Sequence, residues 1–553
     1  MALKGIIENY NETSRILSSN FLATVHKDFG DFGASLLVGA TNDDQNYEVT
    51  TAYGENLFDP NFNSINNTLP TTQRNKYSVT RHRLFGAFSK LDLNYKSLFF
   101  ISVTGRNDWS SSLPVANNSY FYPSINGAFV LSDLPAFKEL SWLNLVKVRA
   151  AWSKAGKDAP PYRVDAPLVA QTTSGGGFIY DFYGGNPNLK PEFVTSREFG
   201  IETQFLNKRV RFELTYFNTD RTDQIVTQRL SYGTGFIFGL INGGAINTTG
   251  YEALLGLTPV KTKDFFWDVT FNFTKLKYKI LSLPASVPEF YNSDTWAEGN
   301  ARASSFNSYE FLQKSFPNSN LAYNQIGAGS PTAIGGIGYE RNKNGDILIN
   351  PSTGLPVLSS TFLPIGDRNP DFTMGIQNHF SFKGFSLNFL LDIRKGGDVY
   401  NGNDHFFFTN GLSTRFLDRS TPYTFKGVVR DGKENSATPT VNAQQVTPLT
   451  RSGFYTAFAE YDFVERNINW LRIKDVTISY ALPTKLLSKI KTINALSFFV
   501  TGTDLYMWTN YTGGDPSVSS SNASTVGAGA AGFDYGKPGL PRSVSFGARI
   551  TLQ

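Results

Sequence analysis

Histidines, paired carboxylates and glycine-rich turns carry most enzymatic chemistry, so their spacing is the first thing to test. His26, His82, His379 and His405 lie far apart, with no H-E-x-x-H or comparable ligand spacing. Each reads as a lumen or loop residue. The chain has no Cys, which removes thiolate zinc sites, disulfide frameworks and cysteine nucleophiles together. No G-x-S-x-G elbow occurs. Residues 527–532 spell G-x-G-x-x-G, but the polar run Ser519–Ser524 precedes them and Gly536-Lys537-Pro538 follows, where a strand and a helix are required. A loop is the better reading. Asn342-Lys343-Asn344-Gly345-Asp346 has Asn or Lys where a calcium loop needs carboxylates, and no Glu at the bidentate position. It reads as a turn. Any two of 46 acids could meet, but nothing singles out a hydrolytic pair. No enzyme activity, cofactor or metal is expected.

What remains is recognition by aromatic rings: 47 Phe, 26 Tyr and 7 Trp. Such rings stack on sugar faces while Asn, Asp and backbone groups hydrogen-bond to hydroxyls. Tyr120, Tyr122, Phe182, Tyr183, Trp296, Phe406, Phe407, Trp508 and Tyr511 stand in or beside loops and are the candidate substrate contacts. The plainer reading of any one of them is an interfacial girdle or loop packing.

The elements that position these rings show in the hydrophobic period. Val544, Phe546, Ala548, Ile550 and Leu552 alternate with Ser543, Ser545, Gly547, Arg549 and Thr551. Phe385, Leu387, Phe389, Leu391 and Ile393 alternate with Ser386, Asn388, Asp392 and Arg394. Val210, Phe212, Leu214 and Tyr216 alternate with Arg209, Arg211, Glu213 and Thr215, and Trp267, Val269, Phe271 and Phe273 with Asp268, Thr270, Asn272 and Thr274. A period of two is a strand with two unlike faces. Only 18% of residues are charged, too few for disorder. The net charge of +5 is scattered without a basic run, so nucleic acid is not an expected partner. No stretch approaches the length of a spanning helix, and residues 1–10 lack the apolar core of a signal peptide.

About fifteen strands are predicted, over 13–28, 31–45, 79–93, 96–107, 118–133, 145–156, 191–206, 208–220, 244–260, 263–280, 370–383, 384–397, 464–481, 494–508 and 542–552. Parity changes between Ile473 and Val476, which predicts a bulge at Lys474 or Asp475. The connections sort into two classes. Short ones fall at 28–31, 94–96, 207–208, 261–264 and 383–384, with 134–144 and 482–493 longer than a turn requires. Long ones fall near 46–78, 107–119, 157–190, 220–243, 280–365, 398–462 and 509–541. A soluble sandwich has no reason to sort its loops by side, whereas an outer-membrane barrel has short turns on one rim and long loops on the other. Roughly eleven residues at about 3.3 Å each, tilted, match the apolar band of such barrels. The fold class expected is all-β, an antiparallel transmembrane β-barrel. Arg211, Glu213, Asp392, Arg394 and Arg549 would then line its lumen.

A resemblance sharpens this. Thr104-Gly105-Arg106-Asn107-Asp108-Trp109-Ser110-Ser111 followed by Tyr122-Pro123-Ser124-Ile125 resembles the R-x-D-x-S-S … F-P-S segment of the SusC/RagA family, TonB-linked outer-membrane transporters of Bacteroidetes-type bacteria. Five more matches follow in the family's order: 186–192 (NPNLKPE), 366–372 (GDRNPDF), 396–401 (GGDVYN), 470–475 (WLRIKD) before 480–483 (YALP), and 511–516 (YTGGDP). The resemblance implies a barrel of about 22 strands around a plug. It also implies a SusD/RagB-like surface lipoprotein as lid, energy through TonB-ExbB-ExbD, outer-membrane lipid around the wall, and oligosaccharides or peptides as cargo. This chain would supply the C-terminal barrel portion, residues 1–553, without signal peptide, plug or TonB box. An odd number of strands and two unpaired strand edges fit that expectation. Two other classes remain open from the residues: a soluble or surface β-rich carbohydrate-binding or adhesin-like protein, and a β-rich hydrolase. An inactive truncated transporter is a further alternative.

Overall fold

The computed structural model describes residues 4–171, 177–284, 289–291, 301–315, 327–487, 492–517 and 531–552. Fifteen long strands dominate the described residues: β1 (Ile6–Phe29), β2 (Phe32–Glu55), β3 (Arg74–Tyr95), β4 (Phe99–Ser110), β5 (Ser119–Val130), β6 (Leu143–Lys157), β7 (Glu192–Phe205), β8 (Val210–Arg229), β9 (Phe238–Lys261), β10 (Phe265–Ser282), β11 (Phe372–Phe382), β12 (Phe385–Lys395), β13 (Trp470–Ala481), β14 (Ile493–Thr509) and β15 (Ser543–Leu552). Each predicted strand has its counterpart. No helix among the described residues is long and apolar enough to cross a membrane.

The chain divides into two compact units. The first comprises Met1–Ala128, Ala151–Thr195 and Arg221–Gly243, the second Phe129–Ala150, Ser196–Asp220 and Gly244–Gln553. Strands pair with their chain neighbours. The order is β1 through β9 in the first unit and β5 through β15 in the second, with β5 to β9 contributing residues to both. In the first unit β1 and β2 pair without interruption from Ile6↔Glu55 to Phe29↔Phe32. This hairpin is longer than predicted, because residues 46–55 were expected in a loop. Tyr47, Val49, Thr51 and Tyr53 alternate with Asn46, Glu48, Thr50 and Ala52, but Tyr and Thr stand where the other strands carry aliphatic residues and Phe, so the apolar signal is weaker there. The loop expected at 220–243 shrinks in the same way, since β8 runs to Arg229 and β9 starts at Phe238.

Short connections obey turn chemistry. Lys383 and Gly384 both adopt positive φ (45° and 91°) between the paired Phe382 and Phe385, the signature of a type I′ hairpin. The two overlong connections are shortened by single helical turns, Pro135–Lys138 and Thr484–Leu487.

In the second unit one sheet face is apolar across seven strands. Register aligns Leu255 with Phe271, Phe271 with Ile376, Ile376 with Leu391, Leu391 with Ile473, and Ile473 with Tyr506. Val500 then meets Phe546. These side chains are not hidden: Phe385 is 55% and Phe546 78% exposed, Val544 is exposed, and Leu387 is part-exposed. The predicted bulge is present. Leu390 faces Asp475 and Leu391 faces Ile473, so Lys474 is the extra residue and parity is restored beyond it. Its Nζ lies 3.0 Å from Asp504 Oδ1.

The dry cores lie in the long connections instead. Ala303, Phe306, Ile334, Leu363, Ile365, Tyr400, Phe408, Phe463 and Phe533 are buried together in the second unit. Within this region Glu289–Tyr291, Arg302–Phe306, Ala333–Gly336 and Leu363–Asp367 form a four-stranded sheet. The described residues of 280–365, and those of 398–462, thus form packed bodies, not extended polar loops. Their apolar residues lack a sustained period, which is why the sequence pattern passed over them.

Candidate functional site

In the first unit, alternation along β4 puts Arg106, Asp108 and Ser110 on one face and Trp109 on the other, against Phe85 at 5.4 Å. Arg106 Nε is 2.7 Å from Asp108 Oδ1, and the Tyr122 hydroxyl donates to Asp108. Ser110 and Ser112 both donate to Asp158, which also meets His82 Nε2 at 2.6 Å. Serine, histidine and aspartate are therefore together, but the carboxylate stands between the other two. A histidine so placed cannot take a serine proton as a nucleophile's base must. The cluster ties strand ends together. Tyr120 is buried with Leu113, Ala159, Leu189 and Leu240, with Tyr122 and Tyr183 packed at the margin. The Arg163 guanidinium lies 4.1 Å over the Tyr183 ring. Phe182 is exposed.

In the second unit, two motif segments, 366–372 and 396–401, converge with residues 466–467 on Asp398. Its Oδ2 accepts the Asp367 N–H at 3.0 Å and pairs with Arg466 at 2.9 Å, while Oδ1 accepts the Asn467 N–H at 3.2 Å. Asp367 in turn accepts Thr332 Oγ1 at 2.7 Å and the Asn369 N–H at 3.0 Å. Asn369 Nδ2 donates to the Leu276 carbonyl at 3.0 Å. These contacts wall a cavity of about 790 Å³ lined by Lys275, Lys277, Asp371, Lys395, Tyr461 and Arg466 among others. The glycine at 397 is required: φ is +82°, and a Cβ there would stand 2.7 Å from the Arg368 carbonyl. Gly397→Ala is expected to cost about 1–2 kcal/mol, read as a lower denaturant midpoint of the loop body.

The remaining expected residues are distributed as follows. Phe406 and Trp508 are exposed, Trp508 edge-on to Tyr506 at 4.6 Å. Phe407 is also exposed. Tyr511 is buried and donates to Asp534 Oδ2 at 2.8 Å. Trp296 lies outside the described residues. Of the expected lumen residues, Arg211 pairs with Asp268 at 2.9 Å rather than with the neighbouring Glu213, which is half-buried. Asp392 accepts the Trp470 indole N–H at 2.8 Å, and Arg394 donates to the carbonyls of Arg368 and Gly396. Arg549 is exposed on β15.

Two titratable groups lie in the loop core: Glu460, which no motif marks in the sequence, and His405. Burial pushes the Glu460 carboxyl from 4.5 up to about 7, although it accepts the Ile337 N–H at 2.7 Å. Burial also lowers His405 from 6.5 to about 4, its Nδ1 meeting the Tyr400 hydroxyl at 2.5 Å. The folded chain holds the Glu460 proton more tightly than a free acid does, so its contribution falls as pH rises from 4.5 to 7. The His405 contribution is full above 6.5 and falls as pH drops towards 4. The two oppose each other. Glu460→Gln should therefore add on the order of 2 kcal/mol above pH 7 and leave the His405 slope alone, measured by hydrogen exchange of residues 333–337 against pH.

The family model for TonB dependent receptor-like β-barrels matches residues 5–347. The chain belongs to that family. It is 26% identical over 505 residues to TonB-dependent receptor P26 of Formosa agariphila, covering 89% of this chain and 48% of that one. It is 24% identical over 492 residues to TonB-dependent receptor SusC of Bacteroides thetaiotaomicron, covering 86% and 44%. In fold it resembles the RagAB peptide importer in its closed-closed state, with a TM-score of 0.72 and 18% identity over 98% of this chain and 56% of that one. The chain spans about half the length of the curated relatives it matches. The fold is thus the TonB-dependent receptor β-barrel fold, and the likeness to SusC and RagA read from six motifs is shared by whole-chain similarity.

Proposed function

We propose that this chain forms barrel wall and substrate-facing loops of an outer-membrane nutrient importer of SusC/RagA type. It takes up oligosaccharides or peptides handed over by a SusD/RagB-like lipoprotein, with energy from TonB-ExbB-ExbD acting through a region beyond these residues. The observation that carries this reading is the exposed apolar face running across seven strands, with the polar face opposite. A soluble protein would bury such a face, whereas lipid solvates it. Arg211, Glu213, Asp392, Arg394 and Arg549 on the polar face then line the aqueous side. Phe182, Phe406, Phe407 and Trp508 present rings that can stack on cargo. Tyr120, Tyr122, Tyr183 and Tyr511 support the loops that carry such rings, and Trp296 remains a candidate contact.

Membrane fractionation tests the reading. The chain should stay with the outer membrane through a sodium carbonate wash and come out only with detergent. Release into the carbonate supernatant would replace the importer with a surface or soluble β protein.

A further inference from the structure

The apolar face of the second unit ends in lysine. On β10 the face bearing Trp267, Val269, Phe271 and Phe273 continues with Lys275 and Lys277, two and four residues further on. On β12 the face bearing Phe385 to Ile393 continues with Lys395, opposite Phe372. Tyr251 lies across from Lys275. All three lysines are exposed, line the same cavity of about 790 Å³, and have no ion-pair partner among the described residues. Of the acids in that cavity, Asp398 is occupied by Arg466 and Asp367 by Thr332 and Asn369, which leaves Asp371. The first unit offers a contrast. There Arg83 and Arg81 extend the face of Leu91 and Phe85 on β3, but both are already paired with Asp44, at 3.0 and 2.6 Å. A row of unneutralised cations on a lipid-facing parity, one step past the apolar band and on the long-loop side, faces the headgroup layer. The cavity volume lies in the range that holds a sugar-phosphate group.

We propose that Lys275, Lys277 and Lys395 bind the phosphorylated headgroup of an outer-leaflet lipid, fixing this part of the wall at the membrane surface. The inference rests on the membrane reading above. Its probe is bisphosphorylated lipid A in mixed micelles, titrated against the detergent-solubilised full chain and followed by native mass spectrometry. The wild-type chain should bind it at least about tenfold more tightly than the variant carrying Lys275→Gln, Lys277→Gln and Lys395→Gln, and dephosphorylated lipid A should bind both alike and weakly. Arg81→Gln with Arg83→Gln should leave binding within about twofold, because those cations are already paired. Equal binding of lipid A by the triple variant, in preparations with unchanged heat-modifiable gel mobility, overturns the proposal. Displacement by inorganic phosphate at equal concentration also overturns it, by assigning the site to a free anion. Carbonate extraction separates the two levels: a chain that leaves the membrane sinks the importer reading itself, whereas one that stays while the triple variant binds normally sinks only this inference.

Discussion

Asp398→Ala should collapse the order of the second unit's loop body. The carboxylate is buried and holds the Arg466 guanidinium and the N–H groups of Asp367 and Asn467. Removing one member of a buried hydrogen-bonded charge pair costs about 3–5 kcal/mol, because the partner stays desolvated and unpaired. Arg466, part-exposed, can turn to water; the two backbone donors cannot. Limited proteolysis should therefore cut the variant within 398–469 at protease levels that spare the wild-type chain. Asp398→Asn keeps one acceptor and should lose roughly half as much. Equal resistance of the alanine variant would mean that the three segments are held by something other than this carboxylate.

Phe389→Arg is the second large effect, and it falls on the lipid-facing side. Phe389 lies midway along β12's apolar face, aligned with Asn378 and Val476 and stacked with Phe380 at 6.2 Å. An arginine at the midplane of a barrel's lipid face costs about 2–4 kcal/mol. Gln377→Arg provides the matched control, since Gln377 is exposed on the opposite face of the neighbouring strand and faces Thr270 and Leu390 in register. The expected result is a large loss of folded, membrane-inserted chain for Phe389→Arg, read by heat-modifiable gel mobility, and little for Gln377→Arg. If both variants insert alike, the apolar face does not meet lipid. In that case Phe385, Val544 and Phe546 need a protein partner to cover them.

Asn378 interrupts this face, and its handling is informative. It is buried among rings and accepts the Trp267 indole N–H at 3.3 Å. A polar group on a lipid-facing parity is tolerable when its hydrogen bond is made locally and rings shield it. The pairing crosses 111 residues, so neither residue announces the other in sequence.

Strand identity was legible in the residues because a strand's period is local. Side chains two apart share a face whatever the rest of the chain does, so fifteen strands, the short connection at Lys383-Gly384 and a bulge at Lys474 or Asp475 are legible without a structure; the turn's type I′ form and the choice of Lys474 are not. The extension of β2 escapes the pattern because Tyr and Thr replace the aliphatic residues that mark the apolar face elsewhere. The partners were a different matter. His82 meets Asp158 across 76 residues, and Asp398 meets Arg466 across 68. Tyr120 and Tyr511 were read as loop rings and are buried. Motif residues such as Asp398 and Asp367 were visible as a pattern, yet their joint hold on one cavity was not. Burial and hydrogen bonding depend on which distant segments the strand order brings together, and alternation along one strand carries no record of that. Tertiary structure alone decided that the long connections fold into dry cores, and that three lysines at the end of an oily face share one cavity.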